Sequence, residues 1–269
     1  MDGFCHQNPS SSMSCPHCGC RRCYAIRRGH RKCASCRREW SPNDRYPVAG
    51  IRLTWDRWRT TIGAFLEYGT IDAARRHGRI GKQQAYAVVV HLREVMTRDV
   101  PEQLHGTCEA DETYVGGTWR NKRAAIRIRG TKRGRGTQKQ AIFGIVSRSQ
   151  QQVRVWLVPN VRGRTLRPII HRVVPRPGPV YTDGAKMYRL LPREGYQHDW
   201  VDHDAGEYVR GCVHTQTMDG FWGLLKRNIA SIGGIRKRYL YRFIGEQVWR
   251  YNYRSLTRDE RVQRLLERL

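Results

Sequence analysis

Residues 108–117, CEADETYVGG, decide how the larger part of this chain folds. β-Branched and aromatic residues are interspersed with polar ones, and two glycines end the run, so the stretch predicts a β-strand. Strict alternation places Glu109, Asp111 and Thr113 on one face of the strand and Glu112 on the other. Acids are scarce in this chain, so an acid inside a strand stands out. Asp111 is therefore a candidate metal ligand, with Glu109 and Glu112 as alternative ligands beside it.

The residues that follow extend this strand into a sheet. Three more short runs rich in β-branched and aromatic residues are AIFGIVSR (141–148), VRVWLVP (153–159) and PVYTD (179–183). Helical candidates are RGRTLRPIIHRVV (162–174), AKMYRLLPREG (185–195) and the aromatic stretch 239–254. Three successive strands, then a helix, a strand and more helices predict an α/β domain over residues 105–256, built on a mixed sheet with flanking helices.

The charge of the chain restricts its partners. Fifty Lys and Arg against 23 Asp and Glu give a net charge of +27, which favours a polyanionic partner such as nucleic acid. No long apolar run predicts a membrane span, and the N-terminus lacks the apolar core of a signal peptide. We therefore expect a soluble intracellular protein, whose nine cysteines bind metal rather than form disulfides.

The first 45 residues carry a metal-binding pattern. Two C-x-x-C pairs, Cys15 with Cys18 and Cys33 with Cys36, are separated by fourteen residues, and YAIRRGHRK between them predicts strand, turn at Gly29 and strand. Four thiolates in this arrangement suit tetrahedral Zn²⁺, so residues 1–45 predict a zinc ribbon. Cys20 and Cys23 form a third C-x-x-C pair. These two cysteines are either spare thiols that face solvent or residues that pack on the ribbon.

A helical region follows at residues 50–100. Apolar residues recur at helical spacing from Leu53 to Leu66, then in IDAARRHG (71–78) and AYAVVVHLREVM (85–96). The short turn between the second and third helices resembles a helix-turn-helix, which would expose Lys82, Gln83 and Tyr86 to DNA. A plain three-helix connector is the alternative.

Residues 118–139 form a basic segment between the first two predicted strands of the α/β domain. This segment carries nine basic residues and no acid. It is a candidate loop for gripping phosphates, or simply a solvated loop. The candidate DNA-binding side chains in it are Arg120, Lys122, Arg123, Lys132, Arg133 and Arg135.

Two further acids lie in suggestive positions. Asp183 ends the run VYTD, where a carboxylate at a strand end is a common metal ligand and a turn residue is the alternative. Asp219 lies in HTQTMDGFWGLLK (214–226), the predicted start of a helix that Thr217 could cap. Lys226 follows Asp219 by two helical turns and so lies on nearly the same helix face.

Five motifs in this order resemble the DDE transposases of bacterial insertion sequences, in the family catalogued as fifteen-ninety-five. They are CPHCG with CASC, DETYVGG, VYTDGAKMY, VDHDAGEYVRGCVHTQTMDGFWGLLKR and YLYRFIGEQVWRYNYR, and they span nearly the whole chain. The resemblance implies a ribonuclease-H-like core in which Asp111, Asp183 and Asp219 hold two Mg²⁺ ions, with Mn²⁺ as an alternative. Asp111 would bridge the ions, and Lys226 would hold a DNA phosphate.

The same resemblance implies the reaction. The family usually carries Glu, and in some subgroups Asn, where this chain has Asp219, and it tends to have Asn where this chain has Gln216. The resemblance also implies a cytoplasmic, nucleoid-associated protein of a bacterium or archaeon. A member cleaves transposon ends by metal-dependent hydrolysis and joins the 3′-hydroxyl to target DNA, acting on terminal inverted repeats as a homodimer or larger assembly. Two alternatives remain: an inactive zinc-ribbon and helix-turn-helix regulator, or a structure-specific nuclease on the same core. Residues 257–269 are expected to form a C-terminal tail, in which RDERVQRLLERL (258–269) predicts a short charged helix.

Overall fold

The computed structural model describes residues 15, 20–41, 45–48, 50–116, 124, 139–202 and 205–269. These residues form two compact units. The first contains the chain up to Val95 together with Leu256–Leu269, and the second contains Met96–Ser255.

The first unit begins with a small antiparallel sheet. Its strands are β1 (Cys23–Ala25), β2 (Arg31–Cys33) and β3 (Glu39–Trp40), in that order. Gly29, with φ of 72°, turns the chain between β1 and β2 in a left-handed conformation that glycine adopts without strain. The predicted strand, turn and strand are confirmed. A separate hairpin of β4 (Arg45–Val48) and β5 (Ile51–Thr54) follows this sheet in the chain.

Three helices follow the hairpin: α1 (Trp55–Tyr68), α2 (Ile71–Gly78) and α3 (Lys82–Arg98). Helix α1 begins at Trp55 rather than Leu53, because the Thr54 hydroxyl accepts the Arg57 amide at 3.4 Å and Leu53 belongs to β5. A Cβ at Gly78 would lie 2.2 Å from the Thr61 hydroxyl, so this glycine allows α2 to pack closely against α1.

The C-terminal residues return to this first unit. Helix α7 (Arg258–Leu266) starts with a reciprocal capping box between Thr257 and Glu260. It packs on α1, where the Arg59 guanidinium donates to the Gln263 side chain at 3.2 Å. The apolar face of α7, Val262, Leu265 and Leu266, is buried. The chain therefore completes its N-terminal helical unit with its last residues.

The second unit is built on a five-stranded mixed sheet. The strands are β6 (Cys108–Val115), β7 (Gln140–Ser147), β8 (Gln152–Leu157), β9 (Pro179–Asp183) and β10 (Gln197–Val201). Their order is β10-β9-β6-β7-β8. Strands β6, β9 and β10 are parallel, whereas β7 runs antiparallel to both β6 and β8. The predicted α/β class and mixed sheet are confirmed.

Helices cover both faces of this sheet. Strand β7 is buried along nearly its whole length because its residues alternate between two cores. Phe143 and Ile145 pack with α4 (Gly163–Val173) on one face. Ile142 and Val146 pack on the other face with α5 (Gln216–Ser231) and α6 (Lys237–Asn252). The predicted flanking helices are therefore present on both sides.

Two elements differ from the sequence-based expectation. Residues 185–195 form two short 3₁₀ helices, Lys186–Tyr188 and Pro192–Glu194, rather than one helix. Pro192 lacks an amide proton to continue a helix from the first piece, and Gly195 ends the second with φ of 91°. Strand β10 was not predicted, because QHDWV is mostly polar and lies on the edge of the sheet.

No helix in the described ranges is both long enough and apolar enough to cross a membrane.

Replacing Leu265 with Ala tests whether α7 is part of the helical unit. The side chain is fully buried, so truncation should cost about 2–5 kcal/mol and speed amide hydrogen exchange in α1 and α7. Exchange in β6 and β7 should not change. The exposed Glu267→Gln is the control, with an expected effect within about 0.5 kcal/mol. Unchanged exchange in α1 of the Leu265→Ala variant would show that α7 does not stabilise this unit.

Candidate metal centres

Three cysteines converge at the small N-terminal sheet. The sulfur atoms of Cys15, Cys33 and Cys36 all lie within 4.8 Å of one another, and those of Cys15 and Cys36 are 3.6 Å apart. Zinc–sulfur bonds of about 2.3 Å in a tetrahedron place two sulfurs about 3.8 Å apart, so this spacing suits zinc. The backbone amides of Ser35 and Cys36 point at the Cys33 sulfur at 3.3 and 3.5 Å, which favours the thiolate.

The other cysteines of the ribbon are placed differently. Cys18, the fourth ligand predicted from the spacing, lies outside the described residues. The Cys23 thiol donates to the Cys20 carbonyl at 3.3 Å, and neither residue belongs to the sulfur cluster. A three-cysteine cluster that could hold a metal such as Zn²⁺ is therefore present, made of residues that the spacing predicts.

The predicted DNA-binding side chains are partly described. Lys82, Gln83 and Tyr86 are exposed along the first turns of α3, as reading a DNA groove requires. The predicted basic residues Arg120, Lys122, Arg123, Lys132, Arg133 and Arg135 lie outside the described residues.

Asp111 and Asp183 lie on neighbouring central strands. The parallel register pairs Glu109 with Tyr181, and continuing it by two residues places Asp111 opposite Asp183. Adjacent strands are about 4.8 Å apart, and residues in register point to the same face. Both carboxylates therefore face the side of the sheet that α5 covers.

Trp222 of α5 reaches directly to Asp111. Its indole N–H donates to the Asp111 carboxylate at 2.8 Å. The approach depends on Gly144, the residue paired with Asp111 on β7, because a Cβ at Gly144 would lie 2.8 Å from the Trp222 ring and 2.4 Å from Met218. The glycine lets α5 pack close enough to the sheet for this hydrogen bond to form.

Glu109 fastens the start of α5 to the same strand. Its carboxylate is fully buried and accepts from the Thr217 hydroxyl at 2.7 Å and from the Met218 amide at 2.9 Å. The His214 ring nitrogen lies 3.4 Å away. The position of Thr217 suggested that it caps the helix, but its hydroxyl donates to Glu109 instead. A strand carboxylate thus accepts a free amide of the first turn, where a negative charge is favoured.

Arg148 completes this anchor. Its guanidinium pairs with Glu109 at 2.6 Å and donates to the carbonyls of Cys212 and His214 at 2.7 and 2.8 Å. The guanidinium also lies over the Tyr181 ring, 5.1 Å from its centre. One arginine from the end of β7 therefore neutralises the buried acid and holds the loop that enters α5.

Asp219 lies on the exposed first turn of α5, three residues before Trp222. The Thr215 hydroxyl donates to its carboxylate at 3.3 Å. The helix thus carries one residue that bonds Asp111 and one acid beside it. Lys226, seven residues later, is exposed near the same helix face.

The electrostatics of Asp111 show how crowded these acids are. The pKa of Asp111 is raised from 3.8 to about 8. Burial is the largest cause, and the nearby charges of Glu112, Asp183 and Asp219 act in the same direction, whereas the Trp222 hydrogen bond lowers the pKa. A buried carboxylate surrounded by acids is poorly stabilised as an anion. A bound cation would reverse this effect, so the arrangement suits a metal site.

Glu112 faces the other side of the sheet, as alternation predicts. It accepts from the Tyr188 hydroxyl at 2.6 Å. Burial and the charge of Glu112 raise the pKa of Tyr188 well above its usual value, so the phenol stays a donor. Glu109 is thus part of the anchor of α5, and Glu112 lies on the opposite face of the sheet.

The acids of this region do not converge on one point. Among the described residues, no three acids bring one oxygen each within 4.8 Å of one another. A single ion held by three carboxylates would need that convergence, because Mg²⁺ binds oxygen at about 2.1 Å.

Sequence reasoning missed several residues that build the site. Trp222, Arg148 and Gly144 were not among the predicted site residues. A glycine within an otherwise apolar strand is a usable signal, because it often marks a close approach by another element. The pairing of Arg148 with Glu109 joins residues 39 positions apart, which no local pattern reveals.

Comparison with known proteins supplies independent findings. The ISXO2-like transposase domain matches residues 103–252. An uncharacterized transposase-like protein of Haemophilus influenzae is 30% identical over 96 residues, covering 36% of this chain and 77% of the relative. An uncharacterized protein in transposable element ISH50 of Halobacterium salinarum is 31% identical over 147 residues, covering 52% of this chain and 50% of that protein.

Replacing Asp111 with Asn should stabilise the metal-free protein. Between the ordinary pKa of 3.8 and about 8 the folded chain holds a proton that the unfolded chain releases, so the stability of the native protein falls as pH rises. Asn removes this charge and still accepts from Trp222. We expect its Tm to exceed that of the native chain by a few degrees at about pH 9, and by much less at about pH 5.

The matched control is the exposed acid Glu102, changed to Gln, which should show no such pH-dependent difference in Tm. A lower Tm of the Asp111→Asn variant at about pH 9 would contradict the account of this carboxylate.

Proposed function

The chain belongs to the ISXO2-like transposase family, and on that premise we propose that it is the DNA transposase of an insertion sequence. The resemblance predicted from the sequence motifs is confirmed at the level of the family. We propose further that the protein binds transposon ends, cleaves them by metal-dependent hydrolysis and joins the 3′-hydroxyl to target DNA.

The observation that carries this proposal is the shared position of the three acids. Asp111 and Asp183 come from adjacent parallel strands, and Asp219 comes from a helix that is bonded to Asp111 itself through Trp222. The charges of Asp183 and Asp219 both act on Asp111. Acids that repel one another in this way are retained where a cation uses them.

Carboxylate oxygens are hard ligands that suit Mg²⁺, with Mn²⁺ as a substitute. We assign Asp111 as the shared ligand and Asp183 and Asp219 as one outer ligand each. When bound, two such ions would activate the attacking oxygen and stabilise the leaving oxygen of a phosphodiester.

The remaining residues position this set. Trp222 orients the Asp111 carboxylate, and Glu109 with Arg148 fixes where α5 begins and so where Asp219 lies. We assign Lys226 to a DNA phosphate beside the acids, because it follows Asp219 by two turns of the same helix. No side chain is required as a covalent nucleophile.

Asp219 reaches less far than the Glu that the resemblance leads us to expect at this position. Asp219 lies in the first, exposed turn of α5, and α5 packs close to the sheet because Gly144 has no side chain. This close packing is how we account for the shorter acid. We propose that the site is competent with Asp.

The other parts of the chain fit DNA handling. The mixed sheet covered by helices on both faces supports a ribonuclease-H-like core. The α2-turn-α3 segment supports a helix-turn-helix that reads transposon ends with Lys82, Gln83 and Tyr86. The cysteine cluster supports a structural Zn²⁺, and the net charge of +27 supports binding to DNA. We propose that the active form is a homodimer or larger assembly on paired ends.

A strand-transfer assay with the inverted repeat that flanks the gene tests this function. We expect joining of the 3′-end to target DNA with Mg²⁺ or Mn²⁺ and none with EDTA. Asp183→Asn and Asp219→Asn should each reduce cleavage and joining by at least about 100-fold, since a metal contributes several kcal/mol and each 1.4 kcal/mol is tenfold in rate. Asp219→Glu should retain activity.

Glu102→Gln, an exposed acid on the same unit, is the control and should behave as the native protein. Binding of end DNA without any metal-dependent cleavage would instead indicate a regulator. Cleavage that neither prefers the repeat nor leads to joining would indicate a nuclease.

A further inference from the structure

The exposed face of α5 holds more than Asp219 and Lys226. At 3.6 residues per turn, Asp219, Gly220, Gly223, Lys226 and Arg227 fall within one sector of about 120°. The opposite face, which includes Phe221, Trp222 and Leu225, is buried against the sheet. A single helix face therefore joins the candidate metal site to two cations.

Arg227 folds back along this face toward the acids. Its guanidinium Nη1 lies 3.4 Å from where a Cβ of Gly223 would stand, one turn before its own position. Gly223 is itself one turn after Asp219. The guanidinium therefore lies beside Gly223, about 6 Å from Asp219 along the helix axis at 1.5 Å per residue. The backbone of Arg227 itself is eight residues from Asp219, so its side chain extends back toward the N-terminus of the helix.

The guanidinium is available to a ligand. Within the described residues, no hydrogen bond or ion pair engages the side chain of Arg227, whereas Arg148 and Arg250 of the same unit pair with Glu109 and Glu246. The sequence offers no local acid to pair with it, because residues 220–245 contain neither Asp nor Glu.

Gly220 adds an opening beside this guanidinium. It lies within the helix and is exposed, and a Cβ there would have nothing within 4 Å. Glycine weakens a helix interior relative to alanine, and no packing contact in the described structure explains it at this position. An open glycine is useful where another backbone must approach closely.

We propose that Arg227 and the open surface at Gly220 bind a DNA phosphate next to the one that is cut. The inference rests on the proposed function, because it takes the DNA strand past Asp219. Successive phosphates of one strand are about 3.4 Å apart along the duplex axis, so the guanidinium, about 6 Å from Asp219, meets the phosphate one or two nucleotides from the scissile bond. A planar guanidinium binds a phosphate with two parallel hydrogen bonds.

The test combines protein variants with single neutral phosphates in the DNA. Duplexes ending in the flanking inverted repeat carry one methylphosphonate at a time, and binding is measured with Ca²⁺. On unmodified DNA, Arg227→Ala should weaken binding about tenfold and lower the slope of log K against log salt by about 1. When the methylphosphonate lies one or two nucleotides from the scissile bond, Arg227→Ala and the native protein should bind the duplex with equal affinity.

Arg193→Ala is the matched control. Arg193 is also an exposed arginine of the second unit, on the short 3₁₀ helix Pro192–Glu194, whose neighbours Leu191 and Tyr196 pack in the core on the other face of the sheet. Arg193→Ala lowers the net charge by the same amount as Arg227→Ala, and it should change the affinity for end DNA less than twofold. Arg227→Lys should recover only part of the loss, because a lysine lacks the planar pair of donors.

A second variant tests the open surface without weakening the fold. Gly220→Ala should raise Tm, because alanine favours a helix, and should nevertheless weaken binding of end DNA. Equal binding by Gly220→Ala and the native chain would overturn the role of this glycine.

The outcomes separate this inference from the proposed function. If Arg227→Ala behaves as Arg193→Ala while native protein still joins DNA strands, the phosphate site is wrong and the transposase function stands. If Arg227→Ala shows the predicted loss but no metal-dependent cleavage occurs, the phosphate site stands without the chemistry. A uniform loss at every methylphosphonate position would also overturn the assignment of one phosphate.

Discussion

The buried carboxylate of Glu109 is the constraint from which the rest of the site follows. An ionised acid withdrawn from water is tolerated only when charges and donors replace the lost hydration. Here Arg148, the Thr217 hydroxyl and the Met218 amide supply them. Two of these partners belong to the first turn of α5, so satisfying the acid also fixes where that helix meets the sheet.

Once α5 is held there, the other contacts of the site are determined. Trp222, one turn after Met218, meets Asp111 across the gap left by Gly144. Asp219 comes to the same region on the exposed side of the helix. The charges of Asp183 and Asp219 add to burial in raising the pKa of Asp111 to about 8. Burial beside other acids disfavours the ionised form of Asp111, so under the proposed function stability and activity make opposing demands on this residue.

Local patterns predicted the parts of this arrangement that depend on neighbours in sequence. Alternation along 108–115 correctly separates Asp111 from Glu112, and Cys15, Cys33 and Cys36 converge as their spacing requires. Distant pairing escaped prediction. Thr217 is a residue type that commonly caps helices, but its hydroxyl donates to Glu109, 108 residues earlier in the chain. Strand β10 has little apolar alternation because it forms an edge, and no local pattern predicts that helix α7 packs on α1.

The most direct test of the account is anomalous diffraction from crystals of the protein with DNA ends and Mn²⁺. The account predicts two manganese peaks about 3.5–4 Å apart, with Asp111 between them and Asp183 and Asp219 as one outer ligand each. Manganese bound away from Asp219, or an α5 that leaves Glu109 when metal binds, would contradict it.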